Sequence, residues 1–328
     1  MNIKHYFLFL LVACFFQPKV FARLGNKIIP DYQITRNERD PSIPKEKSVF
    51  VFNFKNIPLP AKITGACNGL QKKIRTNTQG QYILNLNPGK YVFQLYYNNQ
   101  YFEITTDSIN ILPGYRIDVE VYFQSSIYPV ESKKPVIYLY PQITTPVNIQ
   151  LDLKGELGFT YPLYNHGWEV VAEPNGTLHI DDKTYAYLFW DGTTQLNMAT
   201  IPWNEGFIVP TSQLLNFLES TLTTMGLSST ESQDFITYWY PAMSKNEQNY
   251  IHFLWNDTYD EYAHITVNPK PDQMFRVYMI WTNAADLNGL QPTPQSIPSF
   301  TRNGFTLVEW GGTQLNELPG QHLSLRGN

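Results

Sequence analysis

The chain has almost no cysteine: Cys14 and Cys67 are its two, in 328 residues. One pair builds no disulfide framework and no zinc site of paired cysteines. Charge is also scarce. Charged residues make up 16% of the chain, against about 25% in ordinary globular proteins. No run of like charges occurs, and the formal net charge is −4. That balance excludes the basic face of a nucleic-acid partner. The six histidines fall in no metal-binding spacing. A Gly-x-Ser-x-Gly elbow, a His-Glu-x-x-His helix and a phosphate-cradling glycine loop are all missing. No cofactor and no metal is expected.

Long apolar runs are missing too. The longest, residues 6–16, is eleven residues, whereas a membrane span needs about 20. Lys4 precedes it and Val20-Phe21-Ala22 follows it. This is the anatomy of a secretory signal over residues 1–22, cleaved after Ala22. Leu11-Val12-Ala13-Cys14 offers a second reading, a lipobox with a lipid anchor on Cys14. Either way the protein is expected outside the cytoplasm, secreted, periplasmic or held at the cell envelope, with no transmembrane helix in the mature chain.

What the chain has is aromatics, at 15%, with polarity carried by Asn, Gln, Thr and Ser. Such residues suit pleated, half-buried surfaces. The expected fold is mainly β with an α+β second domain. Residues 23–47 carry Pro41 and Pro44 and no periodic apolar face, and read as an irregular spacer. Residues 48–124 read as a β-sandwich: "VFVFNF" sets Phe50, Phe52 and Phe54 on one side, and "YRIDVEV" alternates strictly. Residues 125–134 read as a polar linker and 135–313 as the larger domain. There, strands flank a helical pair. Leu214, Leu218 and Leu222 repeat at helical spacing, and Ser228 with Glu231 forms a capping box for the second helix. Residues 314–328 read as a flexible tail.

Two resemblances follow. The stretch "TNTQGQYILNLNPGKYVFQLYY", with Gly80 as turn glycine and Pro88-Gly89-Lys90-Tyr91 as corner, is similar to carboxypeptidase-regulatory-like, transthyretin-like β-sandwich domains. That resemblance implies an accessory or spacer module. The words "KPVIYLYP", "YLFWDG" and "VEWGG" resemble those of a family of secreted bacterial proteins of unknown function. This second resemblance implies export and a domain boundary, and no mechanism.

Candidate site residues all lie in the second domain. His252 and His264 stand in consecutive strands, nearly opposite each other if a hairpin joins them. They read either as an acid–base or metal pair or as plain strand histidines. Trp190 and Asp191 read either as a sugar-stacking platform, with Trp168, Trp203 and Glu205 beside it, or as core aromatics entering a turn. Glu309, between Val308 and Trp310, faces either solvent or a site. Asp191 with Glu309 would suit glycosidase chemistry if about 5–10 Å apart. The favoured reading is non-enzymatic binding of an extracellular protein or glycan through the second domain. A secreted hydrolase built on Asp191, His252, His264 or Glu309 is the alternative.

Overall fold

In the computed structural model, which describes residues 31–316 and Leu318 apart from Asp286, Asn288 and Gly289, strands dominate and two long helices are the main exception. The signal segment 1–22 and Cys14 lie outside the described residues, as do Glu317 and residues 319–328 of the tail.

Ten strands make the amino-terminal region: β1 (Tyr32–Arg39), β2 (Ser48–Phe54), β3 (Lys62–Cys67), β4 (Leu70–Arg75), β5 (Gln81–Leu86), β6 (Gly89–Tyr91), β7 (Phe93–Tyr96), β8 (Ile104–Thr105), β9 (Ile109–Ile111) and β10 (Tyr115–Val121). They form a sheet ordered β1-β10-β2-β5, a sheet ordered β4-β3-β7-β8 and the pair β6-β9. In β10, Ile117, Val119 and Val121 are buried while Arg116, Asp118 and Glu120 stay at the surface, as the alternation dictates. Phe50, Phe52 and Phe54 pack with Phe93 in the core between the sheets, the Phe50 and Phe93 rings 4.7 Å apart.

The spacer expected over 23–47 is corrected by β1. Residues Tyr32–Arg39 pair antiparallel with β10 along its length. Their sequence shows no apolar period because β1 is an edge strand with both faces largely in water. The backbone ladder holds it, and its charges discourage further pairing.

The carboxy-terminal region has twelve strands: β11 (Ile127–Tyr140), β12 (Thr145–Leu153), β13 (Gly155–Tyr161), β14 (Trp168–Ala172), β15 (Leu178–Ile180), β16 (Lys183–Tyr185), β17 (Leu188–Asn197), β18 (Phe207–Pro210), β19 (Gln248–Trp255), β20 (Ala263–Asn268), β21 (Gln273–Asn283) and β22 (Thr306–Gln314). Between them stand α1 (Thr211–Met225), α2 (Ser229–Met243) and the short α3 (Asn256–Asp260). The linker expected over 125–134 is also corrected: it is the first part of β11, a 14-residue strand. Polar residues there misled the reading because only Val130 and Ser132 of that part point inward. The expected tail likewise begins within β22, at Gln314.

A seven-stranded sheet, β13-β17-β11-β22-β21-β19-β18, forms the middle of three layers. A five-stranded sheet, β16-β15-β14-β12-β20, covers one face, through Ile137, Leu139, Trp190, Ile280 and Leu307 packed on Ile149, Trp168 and Ile265. The helical pair covers part of the other, where Leu214, Leu218, Phe235 and Trp239 meet Val136, Val277, Met279 and Trp310. Strands covered on both sides become continuous apolar runs, and "MFRVYMIW" in β21 is one. The Ser228–Glu231 capping box is present, with Ser228 N–H donating to Glu231 Oε2 at 2.8 Å and Glu231 N–H to Ser228 Oγ at 3.3 Å. Pro241 falls in the last turn of α2, which runs on to Met243.

Candidate functional site

The three sequence words are neighbours in space. "KPVIYLYP" lies in β11, "YLFWDG" leads through β17 and "VEWGG" lies in β22, and β11 pairs with both other strands. Their glycines serve this packing. A Cβ on Gly311 would lie 3.0 Å from the Pro135 Cα, and one on Gly312 would lie 2.4 Å from the Met279 carbonyl oxygen and 3.0 Å from the Trp239 ring. Both residues must be small where a neighbouring chain comes this close.

At Lys133–Pro135 the register of β11 shifts against both partners. Lys134 takes φ +50°, a left-handed conformation that non-glycine residues rarely adopt and that costs free energy. The bulge turns the Lys134 ammonium into a collar of three rings: Nζ is 5.4 Å from the Tyr238 centroid, 5.5 Å from Tyr187 and 5.9 Å from Trp310. Cation–π attraction holds it there. Burial raises the Tyr238 pKa, the Lys133 charge opposes this and the Asp191 charge adds to it. The phenol therefore stays protonated and able to donate. Among the described residues no carboxylate pairs with Lys134 and no donor with Asp191.

From this collar the sheet face runs out into the open. Phe189 of β17 still packs at the rim of the helix-side core and is half-buried, as is Asp191, whereas Phe159 and Tyr161 of β13 are exposed. Directly opposed residues of an antiparallel pair share a face. Phe159 opposes Asp191 and Tyr161 opposes Phe189. Phe159 is 59% exposed and Tyr161 57%. The Phe159 and Phe189 rings lie 5.9 Å apart, and Tyr161 meets Tyr185 edge-on at 5.5 Å. The result is an open aromatic shelf, with the unpaired Asp191 carboxylate in its surface and the Lys134 collar at its inner end.

The residues expected at a site scatter relative to this shelf. Asp191 lies on it. Trp190, the next residue, points to the opposite face and is 0% exposed; Trp168 is 1% exposed in the five-stranded sheet. No sugar can stack on either, which corrects their place in the platform. Glu309 is 0% exposed on the Trp190 side. Its Oε2 accepts from Arg276 Nε at 2.5 Å, and its Oε1 from Trp190 Nε1 at 3.0 Å and from the Tyr259 hydroxyl at 3.5 Å. Arg276 also donates to Asp260 Oδ1 and to the Ala263 carbonyl, and its guanidinium lies 4.4 Å from the Tyr259 ring centroid. Burial is the largest single influence on the Arg276 pKa and acts to lower it, but the Glu309 charge and hydrogen bond, with Tyr259 and the Asp260 charge, together outweigh it and the net shift is upward. Each carboxylate and guanidinium atom is engaged, so the pair is structural. Asp191 and Glu309, on opposite faces of one sheet, do not form a two-carboxylate site.

His252 and His264 also part. No tight turn joins their strands. Instead α3 intervenes, sending β19 into the seven-stranded sheet and β20 into the five-stranded one. His264 Nδ1 lies 2.5 Å from Asp260 Oδ2, at the outer end of the Arg276 network. His252 is buried and its pKa is lowered by desolvation; its Nδ1 lies 3.0 Å from the Glu205 carbonyl oxygen. Trp203 packs near it, its ring centroid 6.0 Å from the imidazole, and donates from Nε1 to the Met198 carbonyl. The Glu205 side chain is exposed. His252, Trp203 and Glu205 thus meet around the loop before β18, at the far edge of the sheet from the shelf. Among the described residues no group of three or more His, Cys, Asp or Glu side chains is placed to hold a metal.

Sequence reasoning missed Phe159, Tyr161, Lys134 and Tyr238. The signal was present in "GFTYP", where two aromatics alternate beside glycine in a strand otherwise poor in apolar residues. It also missed Arg276, the single charge in "MFRVYMIW", which answers the single charge in "LVEWGG".

No protein-family model matches the chain. An "uncharacterized protein in bglA 3'region" of Butyrivibrio fibrisolvens is 44% identical over 62 residues, which is 18% of this chain and 65% of that protein. The chain thus spans less than two thirds of that relative's length. Two solved structures, a DUF3823 family protein from Bacteroides ovatus and a "putative carbohydrate binding protein" from Bacteroides uniformis, align with 46% and 47% of this chain and 98% and 99% of their own. Identities are 11% and 8% and both TM-scores are 0.20, so neither informs the reading of the site. No helix among the described residues is long and apolar enough to cross a membrane.

Proposed function

We propose that this is an exported, non-enzymatic binding protein that takes a glycan on the shelf formed by β13 and β17. The observation that carries this is the pair Phe159 and Tyr161, more than half exposed and in line on one face, beside an unpaired Asp191. Flat aromatic faces accept the C–H faces of sugar rings, and a carboxylate accepts hydrogen bonds from adjacent sugar hydroxyls. Lys134 and Tyr238 supply donors at the inner end. The strain at Lys134 is consistent with a position kept for a ligand. Hydrolysis would require a second carboxylate facing Asp191, and Glu309 is turned away. The amino-terminal sandwich, with its resemblance to accessory modules, serves as the spacer that presents the shelf outside the cell.

Affinity electrophoresis against β-glucan, xylan, mannan, pectin and chitin derivatives tests this. At least one polysaccharide is expected to retard the wild type. The Phe159→Thr/Tyr161→Thr variant should lose at least tenfold in affinity, and Asp191→Ala a comparable amount. Retardation that persists in both variants, retardation by none of the five, or release of reducing ends would overturn the proposal.

A further inference from the structure

The opposite edge of the seven-stranded sheet carries a different kind of opening. β18 is the last strand and pairs on one side only, Phe207 with Ile251, Ile208 with Tyr250 and Val209 with Asn249. Just before it, the chain segment at residues 291–294 comes alongside. Gly206 N–H donates to the Thr293 carbonyl at 2.9 Å, and Thr293 N–H to the Asn204 carbonyl at 2.8 Å, making a parallel bridge at Glu205 and Thr293. This is the start of an eighth strand position. It goes no further, because Pro294 has no N–H to give, and the side chain of Gln295 turns instead to the Phe253 backbone, at 2.8 and 3.0 Å.

Beyond that point the outer edge of Phe207–Val209 borders a cleft of about 580 Å³. Its other walls are Gln213, Asn216, Phe217 and Ser220 of α1, with Pro292 and Pro294. Backbone–backbone hydrogen bonds among the described residues leave that outer edge without a partner. Two features fix the chemistry of an occupant. Unpaired N–H and C=O groups along a strand edge are matched by another extended main chain. Among the described residues no lining side chain is charged, so a charged side chain would be desolvated there without a partner. The Phe207 and Phe217 rings, 5.0 Å apart, form an apolar wall on the helix side.

We propose that this cleft binds an extended, uncharged peptide segment, which adds to β18 as an eighth strand and continues the position that Thr293 begins. About four residues of the segment lie in the cleft, some 13 Å at strand rise. A side chain that faces α1 is apolar and rests on Phe207 and Phe217, while its neighbours face away. This site is separate from the shelf and does not depend on the glycan reading.

The test uses the full chain and a library of fluorescently labelled, uncharged hexapeptides. Members with an apolar residue at a fixed position are expected to bind and to slow hydrogen exchange of amides within Phe207–Val209. N-methylation along a bound peptide should abolish binding at alternate positions, the period of a strand ladder. Asn216→Arg, on the exposed side of α1, should weaken binding at least tenfold while leaving the thermal midpoint unchanged. The proposal fails if no member binds, if N-methylation is tolerated at every position, if Asn216→Arg has no effect on affinity, or if cellohexaose displaces the peptide.

Discussion

The two faces of the seven-stranded sheet are built from similar residues and have opposite fates. On the face that meets the five-stranded sheet, the central strands are fully covered. There Trp190 is sealed in, and even an arginine and a glutamate lie inside, each engaged by specific partners. On the face that meets the helices, coverage thins from β11 to β17, where Phe189 and Asp191 are half-buried, and the aromatic row of β22 and β11 ends in water on β13. Richness in Tyr, Phe and Trp therefore carries no single message. The extent of the layer above decides whether a ring becomes core or a surface to bind with.

The largest effect should come from breaking the closed face. Replacing Glu309 with Gln leaves the Arg276 guanidinium buried without its fully buried counter-charge, with only the partly exposed Asp260 remaining. Loss of one partner from a buried pair costs about 3–5 kcal/mol. A urea titration is expected to show this as a lower midpoint with an unchanged slope. A loss below about 1 kcal/mol would mean that water reaches the pair and that this face is less closed than its burial implies.

How much of this was legible follows from the same contrast. The helical pair, the alternation in β10 and the capping box at Ser228 depend on near neighbours in sequence, and pattern alone revealed them. β1 and the first part of β11 were hidden, because their partners lie far along the chain and their side chains carry no apolar period. Asp191 stood out in the sequence as a candidate, since an acid closing an aromatic strand asks for an explanation. The aromatic partner assigned to it was the wrong neighbour. Alternation along β17 sends Trp190 and Asp191 to opposite faces, and the ring that shares the acid's face, Phe159, comes from another strand 32 positions away. Charges in apolar strands behaved the same way: Glu309 was noticed, but its answer in Arg276 required knowing that β21 and β22 lie side by side.

A middle-sized effect is expected where the helices do cover the second face. The Tyr138 hydroxyl donates to Asp234 Oδ2 of α2 at 2.8 Å, and burial, followed by that hydrogen bond, raises the Tyr138 pKa far above its ordinary value. Tyr138→Phe removes the donor and keeps the ring. Asp234 is half-buried and regains water, so the loss should be about 1–2 kcal/mol, at the low end for a hydrogen bond to a charged group. Differential scanning calorimetry of the variant measures it. A loss as large as that from Glu309→Gln would mean that the two faces are equally closed at β11.

The smallest effect on stability belongs to the shelf, and it separates a binding surface from an uncovered core most directly. Phe159 is more than half exposed, its ring meets Phe189, and β13 is the edge of its sheet. Threonine keeps the β-branched shape that strands favour, so Phe159→Thr preserves the local backbone preference while removing the ring. Surface changes away from caps, cavities and buried charges usually stay within about 0.5 kcal/mol. The expected result is a urea midpoint indistinguishable from wild type, together with the loss of polysaccharide binding. If the variant instead loses more than about 1 kcal/mol, the ring is acting as core. The open half of the face would then be the seat of a further packing layer, and the contrast between the two faces would be one of degree.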